Sequence, residues 1–84
     1  MTFPRHVWQQ IKNVTADELM RALEKDGWNL DVASGAIQVY RHSDGRRVGI
    51  HYHPGTTYGR KLLKKLLEDI DWTEDDMRRL KLIK

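Results

Sequence analysis

Asp44-Gly45 constrains this chain more than any other dipeptide in it, because it stands between two β-rich runs, Ala36 to His42 and Arg46 to His53. An Asp-Gly pair so flanked predicts a tight hairpin, since both residues tolerate positive φ. With a two-residue turn centred there, alternation assigns the faces. Ile37 and Val39 on the first strand, with Val48, Ile50 and Tyr52 on the second, are expected to share an apolar side. Gln38, Tyr40 and His42, with Arg47, His51 and His53, are expected to share the other. A sheet that needed only to be wetted is more simply built from Thr, Lys and Glu. Imidazoles, a phenol, an amide and a guanidinium on one face mark it as a candidate binding or catalytic surface.

A hairpin alone is marginal in water, so other elements must cover its apolar side. Thr15-Ala16-Asp17-Glu18 is a capping box, and it opens a helix predicted over Thr15 to Asp26. Val14 and Leu19 have the spacing of a hydrophobic staple, and Leu19, Met20 and Leu23 form an apolar stripe. Gly27 is placed to end the helix in a left-handed conformation, with Trp28 folding back on Leu23. Leu30 and Val32 alternate with Asn29 and Asp31, predicting a strand over Asn29 to Ala33 before the break at Ser34-Gly35. After a loop from Pro54 to Gly59, helical spacing returns over Arg60 to Ile70, with Leu62, Leu63, Leu66, Leu67 and Ile70 on one face. Arg60, Lys61, Lys64 and Lys65 occupy much of the remainder. These cations lie in the early and middle turns and Glu68-Asp69 near the end, both against the helix dipole. A solvated basic face explains any one of them; their joint placement suggests a polyanionic partner. Thr73 to Asp76 opens a short last helix through Leu80.

The order is an α+β domain, α-β-β-β-α with a short C-terminal helix, two layers deep, with helices on one face of a three-stranded antiparallel sheet. Its expected core is Leu19, Leu23, Ile37, Val39, Val48, Ile50, Leu63 and Leu66. Residues 1 to 13 form an N-terminal arm, a turn or short helix anchored by Trp8 and Ile11. At 84 residues the chain holds one domain, 1 to 84. It has no cysteine, so no disulfide framework or thiolate metal site supports it, which favours a reducing, cytoplasmic setting. Nothing approaches the roughly 20 apolar residues of a membrane span, and the first residues lack the apolar run of a signal peptide. The net charge of +3 fits a polyanion as partner.

The segments Leu19 to Trp28, Gly35 with its strand, Asp44-Gly45-Arg46-Arg47-Val48, His53-Pro54, Gly59 to Leu67 and Trp72-Thr73-Glu74-Asp75-Asp76 keep a characteristic order and spacing. In these, from about Val14 to Leu80, the chain resembles the HicA toxins, small bacterial RNA-cleaving proteins paired with HicB antitoxins. The element order also resembles the double-stranded-RNA-binding fold. The resemblance implies an endoribonuclease acting on RNA, messenger RNA in particular, and a HicB-like antitoxin as protein partner. The family carries Gly-Ser-His, or Gly-Ser-x-His, at the start of the middle strand, and that histidine is its catalytic residue. This chain has Gly35-Ala36-Ile37-Gln38, with no titratable group at either matching position. His53-Pro54 falls where the family places a histidine after the last strand. Three readings follow: chemistry moved to His51 and His53, a binding-only descendant, or an inactivated toxin.

The chemistry is consistent with the first of these. Metal-independent RNA cleavage needs a base for the 2′-hydroxyl, a proton donor for the departing 5′-oxygen and a cation for the phosphorane. Histidine serves the first two roles because both of its forms are populated near neutral pH. His51 and His53 are expected about 6 to 7 Å apart on one strand face. Arg47, Lys61 or Lys64 is available for charge, Gln38 for orienting a phosphate, and Tyr40 and Tyr58 for stacking on bases, with Arg60 and Lys65 completing the RNA-binding set. His51-x-His53 is also a metal-ligand spacing, but no carboxylate or cysteine at a zinc spacing accompanies it, so no metal and no other cofactor is expected. The competing reading is a non-catalytic RNA-binding module that uses the same basic helix.

Overall fold

The computed structural model describes residues 3–52 and 57–84. The arm forms a helix, α1 (Arg5–Ile11), started by Pro4 and burying Val7, Trp8 and Ile11. Helix α2 (Ala16–Lys25) begins at the expected capping box: the Glu18 amide donates to the Thr15 hydroxyl at 3.2 Å, and the Thr15 amide donates to the Glu18 carboxylate at 3.0 Å. It ends as the glycine predicts. Gly27 sits at φ 93°, while the amides of Trp28 and Gly27 donate back to the carbonyls of Leu23 and Glu24. Strands β1 (Asn29–Ser34), β2 (Ile37–Arg41) and β3 (Arg47–His51) form an antiparallel sheet in the order β1-β2-β3. Helix α3 (Arg60–Ile70) packs with α2 against β3, and α4 (Glu74–Arg79) closes the chain behind a second capping box at Thr73 and Asp76. The elements and their order are those expected from the sequence.

The faces of β2 are not. The His42 amide pairs with the Arg46 carbonyl, the Gly45 amide donates to the His42 carbonyl, and Gly45 lies at φ 101°. The connection is therefore a three-residue loop, Ser43-Asp44-Gly45, closed by a glycine in the left-handed region, and not a two-residue turn. One extra loop residue shifts the pairing by one, and a one-residue shift exchanges the two faces of a strand. Tyr40 consequently stands opposite Val48, Gln38 opposite Ile50, Val39 opposite Gly49 and Ile37 opposite His51. Tyr40 is 1% exposed, whereas Ile37 is 40% exposed and Val39 half-buried. Ile37 and Val39 thus leave the expected core, while Leu19, Leu23, Val48, Ile50, Leu63 and Leu66 are buried in it.

Tyr40 enters the core because its hydroxyl finds a partner there, donating to the Glu24 carboxylate of α2 at 3.2 Å. Burial and that carboxylate push its pKa up to about 12. Tyr40→Phe is expected to cost about 1 kcal/mol of stability through the lost hydrogen bond and to leave RNA affinity unchanged. Denaturant melts and RNA titrations on the variant check this, and weakened RNA binding by the folded variant would contradict the placement.

A second tie lies at the same, C-terminal, end of α2, at its cap residue Asp26. The Asp26 carboxylate accepts hydrogen bonds from the indoles of Trp28 at 3.1 Å and Trp72 at 2.8 Å, and from Arg79 at 2.6 Å. Arg46, from the hairpin, stacks over Trp28 and donates to the Ile70 carbonyl at the end of α3. The outer sheet face, away from the helices, is left with Val32, Ile37 and Val39 among Arg41, Arg47 and His51.

Candidate nucleic-acid interface

β3 keeps its predicted parity, with Val48 and Ile50 buried against the helices and Arg47 and His51 exposed on the outer face. His51 ends the strand directly across from Ile37, and opposed residues of an antiparallel pair hold their Cβ atoms about 5 Å apart. The inverted β2 therefore gives the two positions that match the family's histidine different surroundings. Ile37 lies beside His51 in solvent, whereas Gln38 is half-buried on the helix side opposite Ile50. Tyr40 is in the core and offers no face to a base. The expectation that Gln38 and Tyr40 share an outer surface with His51 is corrected by the register of the hairpin.

Arg47 shares the outer face with His51 but lies four residues back along the strand, about 13 Å away at the strand rise. There it pairs with Arg41 in register, and both guanidinium groups approach the Asp31 carboxylate, at 3.4 Å for Arg41 and 3.8 Å for Arg47. Arg47 thus belongs to a charge cluster at the loop end of the sheet and not to the His51 end. His53 falls outside the described residues.

Tyr58 makes the connection from His51 to α3. Its hydroxyl donates to the His51 carbonyl at 3.3 Å, and burial together with the Asp17 charge pushes its pKa up to about 12, so it acts as a hydrogen-bond donor throughout the physiological range. Arg60 and Lys61 follow within three residues at the start of α3, on the same end of the domain as His51. Lys64 and Lys65 lie a turn further on; all four cations are exposed. None of the four is in an ion pair among the described residues. Helix α3 begins at Gly59 without a side-chain cap and carries no acid in its first turn, so its backbone amides and its cations present one positive end.

The Tyr58 hydrogen bond thus ties His51 to the segment that leads into α3, which carries Arg60, Lys61, Lys64 and Lys65, while Arg47 lies at the other end of β3 and Gln38 and Tyr40 on the other face of the sheet. Arg5 and Lys12 were not among the residues expected at a site, and Trp8 was expected only as an anchor of the arm; all three line a cleft with Tyr58 and Arg60. The arm has no sustained period, and only Trp8 as an aromatic anchor signalled that it packs. Among the described residues no group of three or more His, Cys, Asp or Glu side chains is placed to hold a metal ion, and no helix is long and apolar enough to cross a membrane.

Residues 16–72 match a family described as the HicA toxin of bacterial toxin-antitoxin systems. The matched span runs from the first residue of α2 to Trp72 and includes the whole sheet and α3; α1 precedes it. Comparison with curated proteins finds no match.

Proposed function

Because this chain belongs to the HicA toxin family, we propose that it is an endoribonuclease toxin that cuts RNA, messenger RNA in particular, in the bacterial cytoplasm and is held inactive by a HicB-like antitoxin. The observation that carries this reading is the position of His51, one strand across from Ile37 on the outer face. Where the family resemblance puts an imidazole on β2, this chain puts one on β3, within a side chain's reach of the same point.

The chemistry is transesterification. One imidazole, His51 or His53, removes the proton of a ribose 2′-hydroxyl as its oxygen bonds to the adjacent phosphorus. The other gives a proton to the 5′-oxygen as the P–O bond to it breaks, leaving a 2′,3′-cyclic phosphate and a free 5′-hydroxyl. Arg60, Lys61 and the amides opening α3 supply positive charge to the phosphorane. Tyr58 acts on β3 by fixing the backbone at His51. The lack of an imidazole at either position that matches the family's histidine, Ile37 or Gln38, favours a second reading, a relative that binds RNA without cutting it.

Shortening of single-stranded RNA by the purified protein in excess chelator tests the nuclease reading, and RNA that stays intact under these conditions contradicts it. Both readings use the basic helix. Each neutralised phosphate releases counterions, so RNA affinity is expected to fall steeply as salt rises. Changing Arg60, Lys61, Lys64 and Lys65 together to glutamine is expected to flatten the salt slope by roughly three units and to weaken binding at 0.1 M salt by on the order of 10²-fold or more. An unchanged slope and affinity would reduce the basic face of α3 to a solvation feature.

A further inference from the structure

A cleft of about 290 Å³ lies between α1 and the start of α3. Its size is near the lower end of the roughly 300–1,000 Å³ range of small-molecule sites, enough for one nucleotide and not for a longer piece of strand. Its walls divide by chemistry. Arg5 and Lys12, at the start and just past the end of α1, and Arg60 of α3 bring three cations to it, Gln9 adds an amide, and no carboxylate lines it among the described residues. None of the three cations is in an ion pair among the described residues. Holding like charges together without a counter-charge costs folding energy, which an anion in the cleft offsets. The other wall is aromatic and apolar: Trp8, Tyr58 and the buried Leu63.

Trp8 forms part of the aromatic wall with its ring. It is 8% exposed, and its indole N–H has no hydrogen-bond partner among the described residues. The other two indoles of the chain both donate to Asp26, so Trp8 differs from them in its surroundings. The Arg60 guanidinium lies over the Trp8 ring, 5.5 Å from its centroid, which places a phosphate-binding group against an aromatic face. Tyr58 lines the cleft with its ring while its hydroxyl holds the His51 carbonyl. A nucleotide seated there is adjacent to the strand end that carries the imidazole.

From these observations, and resting on the RNA-cleaving reading above, we infer that the cleft between α1 and α3 binds one nucleotide of the RNA strand next to the scissile phosphate, its phosphate held by Arg5, Lys12 and Arg60 and its base by Trp8, Tyr58 and Leu63. The α1 side of this pocket lies outside the residues that match the family.

The test follows the three indole N–H signals in nitrogen-correlated NMR spectra of the whole protein, with Trp8→Phe identifying the Trp8 signal. Uridine and adenosine 5′-monophosphates are titrated in, with ribose 5-phosphate and inorganic phosphate in parallel. The Trp8 signal is expected to shift saturably with a nucleotide while those of Trp28 and Trp72 stay in place. Arg60→Gln is expected to weaken the interaction about tenfold, the scale of a lost hydrogen bond to a charged group. Removing the base is expected to weaken it about tenfold, the scale of one base stacked on aromatic side chains. A stationary Trp8 signal overturns the proposal, as does equal binding of inorganic phosphate, or undiminished binding by an Arg60→Gln protein whose Trp28 and Trp72 signals show it folded. Cleavage of RNA, measured separately, distinguishes the two readings. Cleavage with a stationary Trp8 signal discards the pocket and keeps the nuclease, and a saturable shift in a protein that cuts nothing keeps a nucleotide pocket and discards the nuclease.

Discussion

His51→Ala is expected to lower the rate of RNA cleavage by on the order of 10² to 10⁴, the usual contribution of a positioned acid or base, while changing RNA affinity less than about threefold. The two effects separate because affinity comes from the cations of α3, and His51 stands at the end of an exposed strand with its backbone fixed by β2 and Tyr58. Removing the imidazole alters no core contact. If His51 and His53 act as base and acid, the wild-type rate passes through a maximum with pH, and each single variant loses one limb of that profile. Single-turnover cleavage rates across pH for the wild type, His51→Ala and His53→Ala check both statements. Equal rates in the wild type and His51→Ala would remove His51 from the mechanism.

Asp26→Ala is expected to destabilise the fold by roughly 3 to 5 kcal/mol, because it leaves the buried indoles of Trp28 and Trp72 without acceptors and Arg79 without its closest carboxylate. For a domain of this size that lowers the melting midpoint by about 15 °C or more. The same group gives stability an acid limb. Burial alone raises the pKa of Asp26, but the hydrogen bonds from Trp72, Arg79 and Trp28 and the Arg79 charge outweigh it and hold the carboxyl below its ordinary value. A carboxylate whose folded pKa is depressed contributes stability that is fully present above its unfolded pKa, about 3.9, and is lost as pH falls through the folded value. Melting curves between pH 2 and 7 should therefore converge for the wild type and Asp26→Asn at the acid end and separate above about pH 4. A variant within 1 kcal/mol of the wild type at pH 7 would show that Trp28 and Trp72 are held by packing alone.

The helices were legible because each carries its own boundary chemistry. Thr15 with Glu18 and Thr73 with Asp76 are reciprocal caps, Gly27 takes the left-handed position, and the leucines of α3 repeat at helical spacing. The faces of β2 were not legible from alternation, because Ile37 and Val39 make an apolar pattern of their own and the choice between parities rests on one loop residue. Ser43 decides it: the loop is three residues long, Gly45 alone takes positive φ, and Tyr40 has Glu24 to receive its hydroxyl. A tyrosine three residues before such a loop, opposite a valine, reads equally well as a core residue or a surface one until the register is known. The same register moves the position beside His51 from Gln38 to Ile37, which is why Ile37→His, and not Gln38→His, restores an imidazole to the outer face. The α1 cleft escaped the sequence because its residues come from segments some 50 positions apart, Arg5 to Lys12 and Tyr58 to Leu63, and only folding brings them together.

Whether His51, at the end of β3, takes part in cutting RNA is read from the ends of the RNA produced. Purified wild type, His51→Ala and Ile37→His are incubated with single-stranded RNA in excess chelator, and the termini of the products are identified. 2′,3′-Cyclic phosphate and 5′-hydroxyl ends are expected with the wild type, and their loss with His51→Ala. Intact RNA with the wild type, together with cleavage by Ile37→His, would contradict this and leave the chain an RNA-binding relative that lacks a catalytic imidazole on β2.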